Sequence, residues 1–376
     1  ISCSLRIYYR PNNQSGWRKI IMTDASKVLD DAKYSGTKEV DESLKIDAAN
    51  LQPWIDAYIP NAGKINAIEQ FKGGQSNPTY KIITDKKNLV LRRKPPGKLL
   101  PSAHAVDREY KVITALYETD VAVPKTYGLC EDQDVAGTTF FVMDFLDGDL
   151  FWDPMIPSVS KEDRIQIYKN KNDTLVKLHN VDYKKVGLGD YGKPGNYVTR
   201  QVARWSKQYR ASETDNIEAM NNLIEWLPQN IPDDDETTIV HGDYRLDNMI
   251  LKDNKVMGVL DWELSTLGHP IADFSYHCLT WRTQEAYYDH AKLKELGVPN
   301  EQEYRDMYSQ STGKDLSANW EFYMAFNMFK IAAICQGILG RVRDGTAASK
   351  HAEERGMTVY PLSEAAWSTI EENFLK

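Results

Sequence analysis

The sequence has little cysteine. Its four cysteines, Cys3, Cys130, Cys278 and Cys335, lie far apart and form no Cys-x-x-Cys pair. That argues against a disulfide framework and against a thiolate zinc site, and it fits a reducing, cytoplasmic setting. Long hydrophobic runs are missing too. The most apolar stretch, residues 320–339, is interrupted by Glu321, Asn327, Lys330 and Gln336, so it reads as a buried helix and no membrane partner is expected. There is no internal repeat and no low-complexity tract. Nor is there a basic excess: 46 Lys and Arg stand against 54 Asp and Glu, a formal net charge of −8. A general nucleic-acid binder needs a dominant basic surface, so no nucleic-acid partner is expected. What is present is ordinary globular composition, 41% hydrophobic and 27% charged over 376 residues. That length supports two domains, or one two-lobed enzyme, with a core large enough to need no staple.

The charge is unevenly spread. Residues 1–21 carry Arg6, Arg10, Arg18 and Lys19 and no acid. A basic, acid-poor start can be a targeting peptide, but this one lacks amphipathic periodicity. It reads as a leader that is non-native or disordered, with the natural start at Met22. Two further tracts are basic without any acid: residues 86–98, with Lys86, Lys87, Arg92, Arg93, Lys94 and Lys98, and residues 199–210, with Arg200, Arg204, Lys207 and Arg210. The acidic total therefore does not argue against binding phosphates locally.

Periodicity places a helix at 47–60, with Leu51, Trp54, Ile55, Tyr58 and Ile59 in step behind Asp47 as a cap. Strands are expected at 65–71, 79–84 and 89–92, a helix at 103–118, and strands at 127–130 and 138–145. Together they make a five-stranded antiparallel sheet with one inserted helix. Helical spacing follows at 161–180, 197–212 and 215–227. Short strands are expected near 239–240 and across 248–260, with Asp253-Asn254 as a hairpin turn, and helices from about 270. The chain changes from β-rich to helix-rich near 145–150, which divides it into one lobe at 22–145 and another at 146–376.

The chemistry concentrates in His241-Gly242-Asp243-Tyr244-Arg245-Leu246-Asp247-Asn248, followed by Asp261-Trp262-Glu263. Phosphoryl transfer asks little covalent work of a protein. It needs an aligned hydroxyl, cations on the phosphates and a carboxylate to take the proton. Asp243 suits the last role. Asn248 and Asp261, on loops joined by a tight hairpin, offer the hard oxygen ligands that hold Mg²⁺.

In order and spacing this set resembles the aminoglycoside phosphotransferase and choline kinase superfamily, relatives of the protein kinases, over about residues 65–340. The resemblance implies an α+β, two-lobed, protein-kinase-like fold with a small antiparallel-sheet N-lobe, which binds nucleotide, and a larger helical C-lobe, which carries catalysis and acceptor binding. It implies ATP and Mg²⁺ as cofactors. Gly73-Gly74-Gln75-Ser76-Asn77 looks like the phosphate loop, where backbone N–H groups and small hydroxyls approach the phosphates, with Gly73, Gly74, Ser76 and Asn77 as contacts. Strand alternation puts Val90 and Arg92 on one face and Leu89 and Leu91 on the other. With the apolar pair packed on the helix, Arg92 faces the nucleotide and Glu109 on the inserted helix is its partner. Arg92 stands where kinases carry Lys, a departure compatible with function because Arg is always charged and binds phosphate bidentately. Met143 to Phe145 matches the hinge that binds adenine through the backbone. Arg245 matches the kinase Lys that touches the γ-phosphate. His241 is expected to brace the loop.

The acceptor is read from residues 197–210. At helical pitch Val198, Val202, Trp205 and Tyr209 fall on one side, and Arg200, Arg204, Lys207 and Arg210 on the other. A basic stripe suits an anionic acceptor and not a polycation, with Arg200, Arg204 and Lys207 as its contacts. The stretches 73–80, 91–104 and 200–206 resemble one branch of the superfamily, the kinase-like domains fused to acyl-CoA dehydrogenases and their free-standing bacterial relatives. That branch implies a hydroxy acid or hydroxyacyl-CoA as the phosphorylated molecule, and it shares the Arg-for-Lys exchange. An antibiotic- or choline-type kinase and a nucleotide-binding pseudokinase acting as an interaction module remain alternatives. A homodimer is among the assemblies left open.

Overall fold

The computed structural model of the chain describes residues 9–12, 16–19, 35–72, 77–97, 104–284, 287, 289–347 and 351–375. Near the start, β1 (Tyr9–Asn12) and β2 (Gly16–Lys19) pair as an antiparallel hairpin. Beyond it the chain divides into two compact units, Lys27–Gly192 with His241–Thr266, and Lys193–Val240 with Leu267–Lys376.

The first unit is built on an antiparallel sheet of β3 (Thr37–Lys38), β4 (Ile65–Phe71), β5 (Thr79–Thr84), β6 (Asn88–Arg93), β7 (Thr126–Cys130) and β8 (Phe140–Asp144), in the order β3-β4-β5-β6-β8-β7. It has six strands where the sequence suggested five. The extra one is two residues long, too short to show alternation, and is fixed by pairing with Phe71 and Gln70 and by a 2.6 Å bond from Thr37 Oγ1 to Glu69. Helix α1 (Ala48–Tyr58) starts at Asp47, whose carboxylate accepts from the Ala49 N–H. It lays Leu51, Trp54 and Ile55 on Tyr80, Ile82, Leu89, Leu91, Phe140 and Val142 to make the core of this unit. Burying side chains of this size contributes about 1.5–3 kcal/mol each. Leu89 and Leu91 thus face α1, and β6 turns Arg92 to the opposite face, where it pairs with Glu109 of helix α2 (Val106–Leu116).

After the short helix α3 (Gln133–Ala136) and β8, the same unit continues into helix α4 (Lys161–His179). Ser160 caps α4 by accepting from the Asp163 N–H. The hairpin β10 (Met249–Lys252) and β11 (Lys255–Val259) turns at Asp253 and Asn254, both with positive φ (49° and 64°), as an Asx-rich two-residue turn requires. Asn170 on α4 donates to the Asn254 carbonyl, and Tyr244 OH donates to the Lys171 carbonyl. Helix α4 is therefore the rail that holds both the 241–248 loop and the hairpin after it.

The second unit is mainly helical. It contains α5 (Tyr197–Ala211), α6 (Glu218–Trp226), a short strand β9 (Thr238–Val240) paired with β12 (Thr266–Gly268), α7 (Pro270–Cys278), α8 (Thr280–Thr283), α9 (His290–Leu296), α10 (Glu301–Thr312), α11 (Trp320–Arg343), α12 (Ala352–Met357) and α13 (Val359–Phe374). Helix α11 is long and apolar enough to cross a bilayer by length and composition, and 83% of its most apolar stretch is buried in the protein. It is packed by α5, α7, α12 and α13, and Asn327 inside it bonds the Ala272 carbonyl and Ser275.

Candidate active site

The first unit brings the predicted chemistry together in two linked parts. The first is a node around Arg92, which is only 9% exposed. Its Nε lies 2.8 Å from Glu109, its Nη2 donates to Asp261 at 2.8 Å, and its Nη1 donates to Thr79 at 3.3 Å. A guanidinium can do this because its donors form a planar fork; an ammonium is a point charge. Glu109, 1% exposed, also accepts from Asn77 at 2.9 Å, and His104 donates to the oxygen of that same Asn77 amide. Burial works against charge on Arg92, but Glu109 and Asp261 outweigh it and its pKa rises. Burial pushes the Glu109 carboxyl up to about 7, against the pull of Arg92.

The second part is the loop. Gly242 has φ +82°, and a Cβ there would lie 2.8 Å from the Leu264 carbonyl oxygen, so only glycine fits between His241 and Asp243. His241 is fully buried. Its Nδ1 accepts from the Asp243 N–H at 3.2 Å and its Nε2 donates to the Leu260 carbonyl at 2.9 Å. It therefore ties Asp243 to the residue just before Asp261. Asn248 donates to the Asp243 carbonyl (2.9 Å) and to its carboxylate (3.3 Å), and the Leu260 N–H donates to the Asn248 carbonyl. Arg245 is ion-paired with Asp247, and its Nε lies 3.8 Å from the Asp243 carboxylate. Burial pushes the Asp247 carboxyl up, with Arg245 pulling it down. Asp261 sits at φ +61°, a left-handed conformation uncommon outside glycine. Held there, its side chain stays 44% exposed while one oxygen grips Arg92.

The remaining predicted residues fall elsewhere. Gly73, Gly74 and Ser76 lie outside the described residues. Asn77 is buried against Glu109. Met143 is a buried β8 residue paired with Val90 and Thr126, and Phe145 stacks on Phe71 at 6.5 Å with the Lys81 ammonium over its ring. Among the described residues of the basic tract at 86–98, only Arg92 enters the node. Arg93 is spent on the Ala136 and Leu44 carbonyls, Lys94 pairs with Asp107, and Lys87 pairs with Asp144. In the second unit Val198, Val202, Trp205 and Tyr209 are buried on α5. Arg200 is tied to the Lys193 and Gly195 carbonyls and Arg210 to Glu213 and Asn221, whereas Arg204 and Lys207 are exposed. Sequence reasoning missed Thr79 and Asp247. Thr79 is the cross-strand partner of Arg92 in the β5–β6 register, a signal available only once that register is known.

A buried cation shared by two carboxylates, beside an Asp–Asn loop braced by histidine, is the arrangement of a phosphoryl-transfer enzyme. The chain belongs to the phosphotransferase enzyme family (APH), whose profile matches residues 67–311. It is 46% identical to a Ralstonia eutropha protein assigned as an aminoglycoside phosphotransferase, whose structure superposes with a TM-score of 0.80 over 87% of this chain and 99% of that one. It is 44% identical over 340 residues to acyl-CoA dehydrogenase family member 10 of Mus musculus; the match takes in 88% of this chain and 32% of the mouse protein, so the chain spans about a third of that relative's length. Aminoglycoside phosphotransferase APH(4)-Ia, in a ternary complex with AMP-PNP and hygromycin B, shares the fold at 10% identity, with a TM-score of 0.57 over 86% of this chain and 99% of that one. The chain is accordingly a kinase, a phosphotransferase with an alcohol group as acceptor, on a two-lobed α+β protein-kinase-like fold.

Proposed function

We propose that the chain uses ATP and Mg²⁺ to phosphorylate a hydroxyl of a small anionic molecule, a hydroxy acid or a hydroxyacyl-CoA. The observation that carries the reading is the Arg92–Glu109–Asp261 node in the same unit as the Asp243–Asn248 loop. Arg92 supplies a permanently charged donor for the phosphates. Asp243 aligns the acceptor hydroxyl and takes its proton. Arg245, beside Asp243, meets charge on the transferred group.

The donor set fits a hard divalent cation. Asn248 and Asp261 offer oxygen, and the second Asp261 oxygen has no protein partner among the described residues. Magnesium takes one or two such ligands plus phosphate oxygens and water. Bound there, it would offset the negative charge of the phosphates.

The acceptor class is supported by two things. One is the occurrence of this kinase-like stretch within a protein called an acyl-CoA dehydrogenase. The other is the exposed pair Arg204 and Lys207 on α5, cations suited to a carboxylate or phosphate.

The test is ATP consumption over hydroxy acids, their CoA esters, choline and aminoglycosides, with wild type and Asp243→Asn. The expected result is turnover on hydroxy acids or their CoA esters, and a fall of at least about a hundredfold in Asp243→Asn with nucleotide binding retained. Turnover on aminoglycosides or choline alone would make the enzyme an antibiotic- or choline-type kinase. No turnover on any hydroxyl would make it a nucleotide-binding interaction module. An unchanged kcat in Arg245→Ala would remove Arg245 from the chemistry.

A further inference from the structure

Among the described cations of the basic tract at 86–98, Arg92 joins the active site and Lys87 points to a different place. Its ammonium lies 3.3 Å from Asp144, contacts the Tyr127 hydroxyl and sits 4.3 Å from the centre of the Tyr127 ring. Tyr127 OH donates to the same Asp144 oxygen at 2.6 Å. Beside them is a cavity of about 480 Å³ in the first unit, between the end of α1 and the edge strand β7. Lys87, Lys125, Tyr127, Tyr58 and Asn61 are among its lining residues, and no carboxylate is among the described ones. Lys125 is exposed, and its ammonium lies 5.6 Å from the centre of the Tyr127 ring.

Tyr58 is the informative residue. A tyrosine on a helix end would ordinarily rotate freely or fold onto the core. Here one face is stacked on Trp54, with centroids 4.4 Å apart and planes inclined by 17°. The stack is admitted by Gly128 on β7, where a Cβ would lie 2.9 Å from Tyr58 and 3.0 Å from Trp54. The ring is thereby fixed in place while 51% of the residue stays exposed at the cavity. A stacked, half-exposed tyrosine beside the exposed Lys125, with Lys87 paired to Asp144 and no acid among the described lining residues, has the complementarity of a flat anion. The ring would stack on Tyr58 and the negative group would meet Lys125, with Lys87 held within reach by Asp144.

We propose that this cavity is a second ligand site, separate from the nucleotide and acceptor chemistry, for a small aromatic or heteroaromatic molecule bearing a carboxylate or phosphate. The cavity opens to solvent, and its volume of about 480 Å³ lies within the range of small-molecule sites.

The probe is 2-naphthoate, titrated into the full chain and followed by its fluorescence, with and without excess ADP. The expected result is saturable binding that ADP leaves unchanged. Lys125→Ala and Tyr58→Leu should each weaken it about tenfold, the scale of one lost ion pair or one lost ring contact. The uncharged analogue 2-naphthalenemethanol should bind about tenfold more weakly. Lys125→Ala removes an exposed side chain, so it keeps the test decisive even if Tyr58→Leu disturbs α1. Displacement of 2-naphthoate by ADP, equal affinity in wild type and Lys125→Ala, or no saturation at millimolar concentration would each overturn the proposal.

Discussion

Arg92 in the first unit and Arg282 in the second each bridge two carboxylates at under 3 Å, and the two nodes differ in what they leave open. In the second unit Arg282 lies 2.7 Å from Glu301 and 2.6 Å from Glu321, and Glu301 also accepts from the Trp320 indole at 2.7 Å. Both carboxylates are partly buried and taken up by donors of the same unit, and despite burial, which raises it, the bonds from Arg282 and Trp320 leave the Glu301 pKa lowered. Arg282 makes two contacts to each glutamate; in the first unit Arg92 also bridges two carboxylates, but with one contact to each and its third nitrogen on Thr79. There, however, Glu109 is almost wholly buried with its pKa raised, and Asp261 is 44% exposed on a left-handed backbone. One node is closed on itself and ties α8 to α10 and α11. The other leaves a carboxylate turned outward, held in place and ready for a ligand. An arginine between two carboxylates thus serves structure or chemistry according to whether the charges are used up inside the protein.

Two substitutions break that contrast most directly. Asp261→Asn should lower kcat by about a thousandfold, the scale for removing a preorganised electrostatic group, with little change in the denaturant midpoint. Glu321→Gln should leave kcat unchanged and lower stability by about 1–2 kcal/mol. Equal kcat losses in both variants would erase the distinction between the nodes. The next largest effect concerns the fork itself. Arg92→Lys cannot bridge Glu109, Asp261 and Thr79 at once, so kcat/KM should drop about ten- to a hundredfold together with about 1–3 kcal/mol of stability. Arg282→Lys should show a similar stability loss in urea and unchanged steady-state kinetics. An Arg92→Lys enzyme of wild-type kcat/KM would show that the bridge has no part in turnover.

The active-site loop was legible in the sequence because its parts are neighbours in the chain: Asp243 and Asn248 share one loop, and Asp253-Asn254 is a local turn. The strands of the sheet were legible wherever alternation runs for several residues. Arg92 and Asp261 are 169 positions apart, and only the family resemblance put them in one site. The rest depends on pairings that no local period encodes. Thr79 meets Arg92 through strand register, Arg93 turns to the Ala136 and Leu44 carbonyls, Asp247 takes up Arg245, and β3 is too short to alternate. Charge counting resolves less than side-chain direction does. Within the acid-free tract at 86–98, the strand 88–93 sends the neighbours Arg92 and Arg93 to opposite faces, while Lys87 and Lys94 outside the strand pair with Asp144 and Asp107.

The two nodes should also differ in the sign of their pH dependence, an effect on stability and not on turnover. Glu109 has its folded pKa raised to about 7 by burial, above the ordinary carboxylate value near 4.5. The folded state therefore holds this proton more tightly than the unfolded chain. Its contribution to stability is complete below about 4.5 and is lost as the pH climbs through 7, by at most about 3 kcal/mol. Glu301, lowered below 4.5, behaves oppositely: its contribution is present above 4.5 and is lost as the pH falls through its folded value. Thermal unfolding of wild type between pH 4 and 8 should accordingly show a shallow decline on the neutral side that Glu109→Gln removes. Glu301→Gln should leave that limb intact and reduce the loss on the acid side. If Glu109→Gln leaves the neutral limb as steep as wild type, the Arg92 pairing outweighs burial, Glu109 is a full carboxylate at neutral pH, and the two nodes differ only in the exposed oxygen of Asp261.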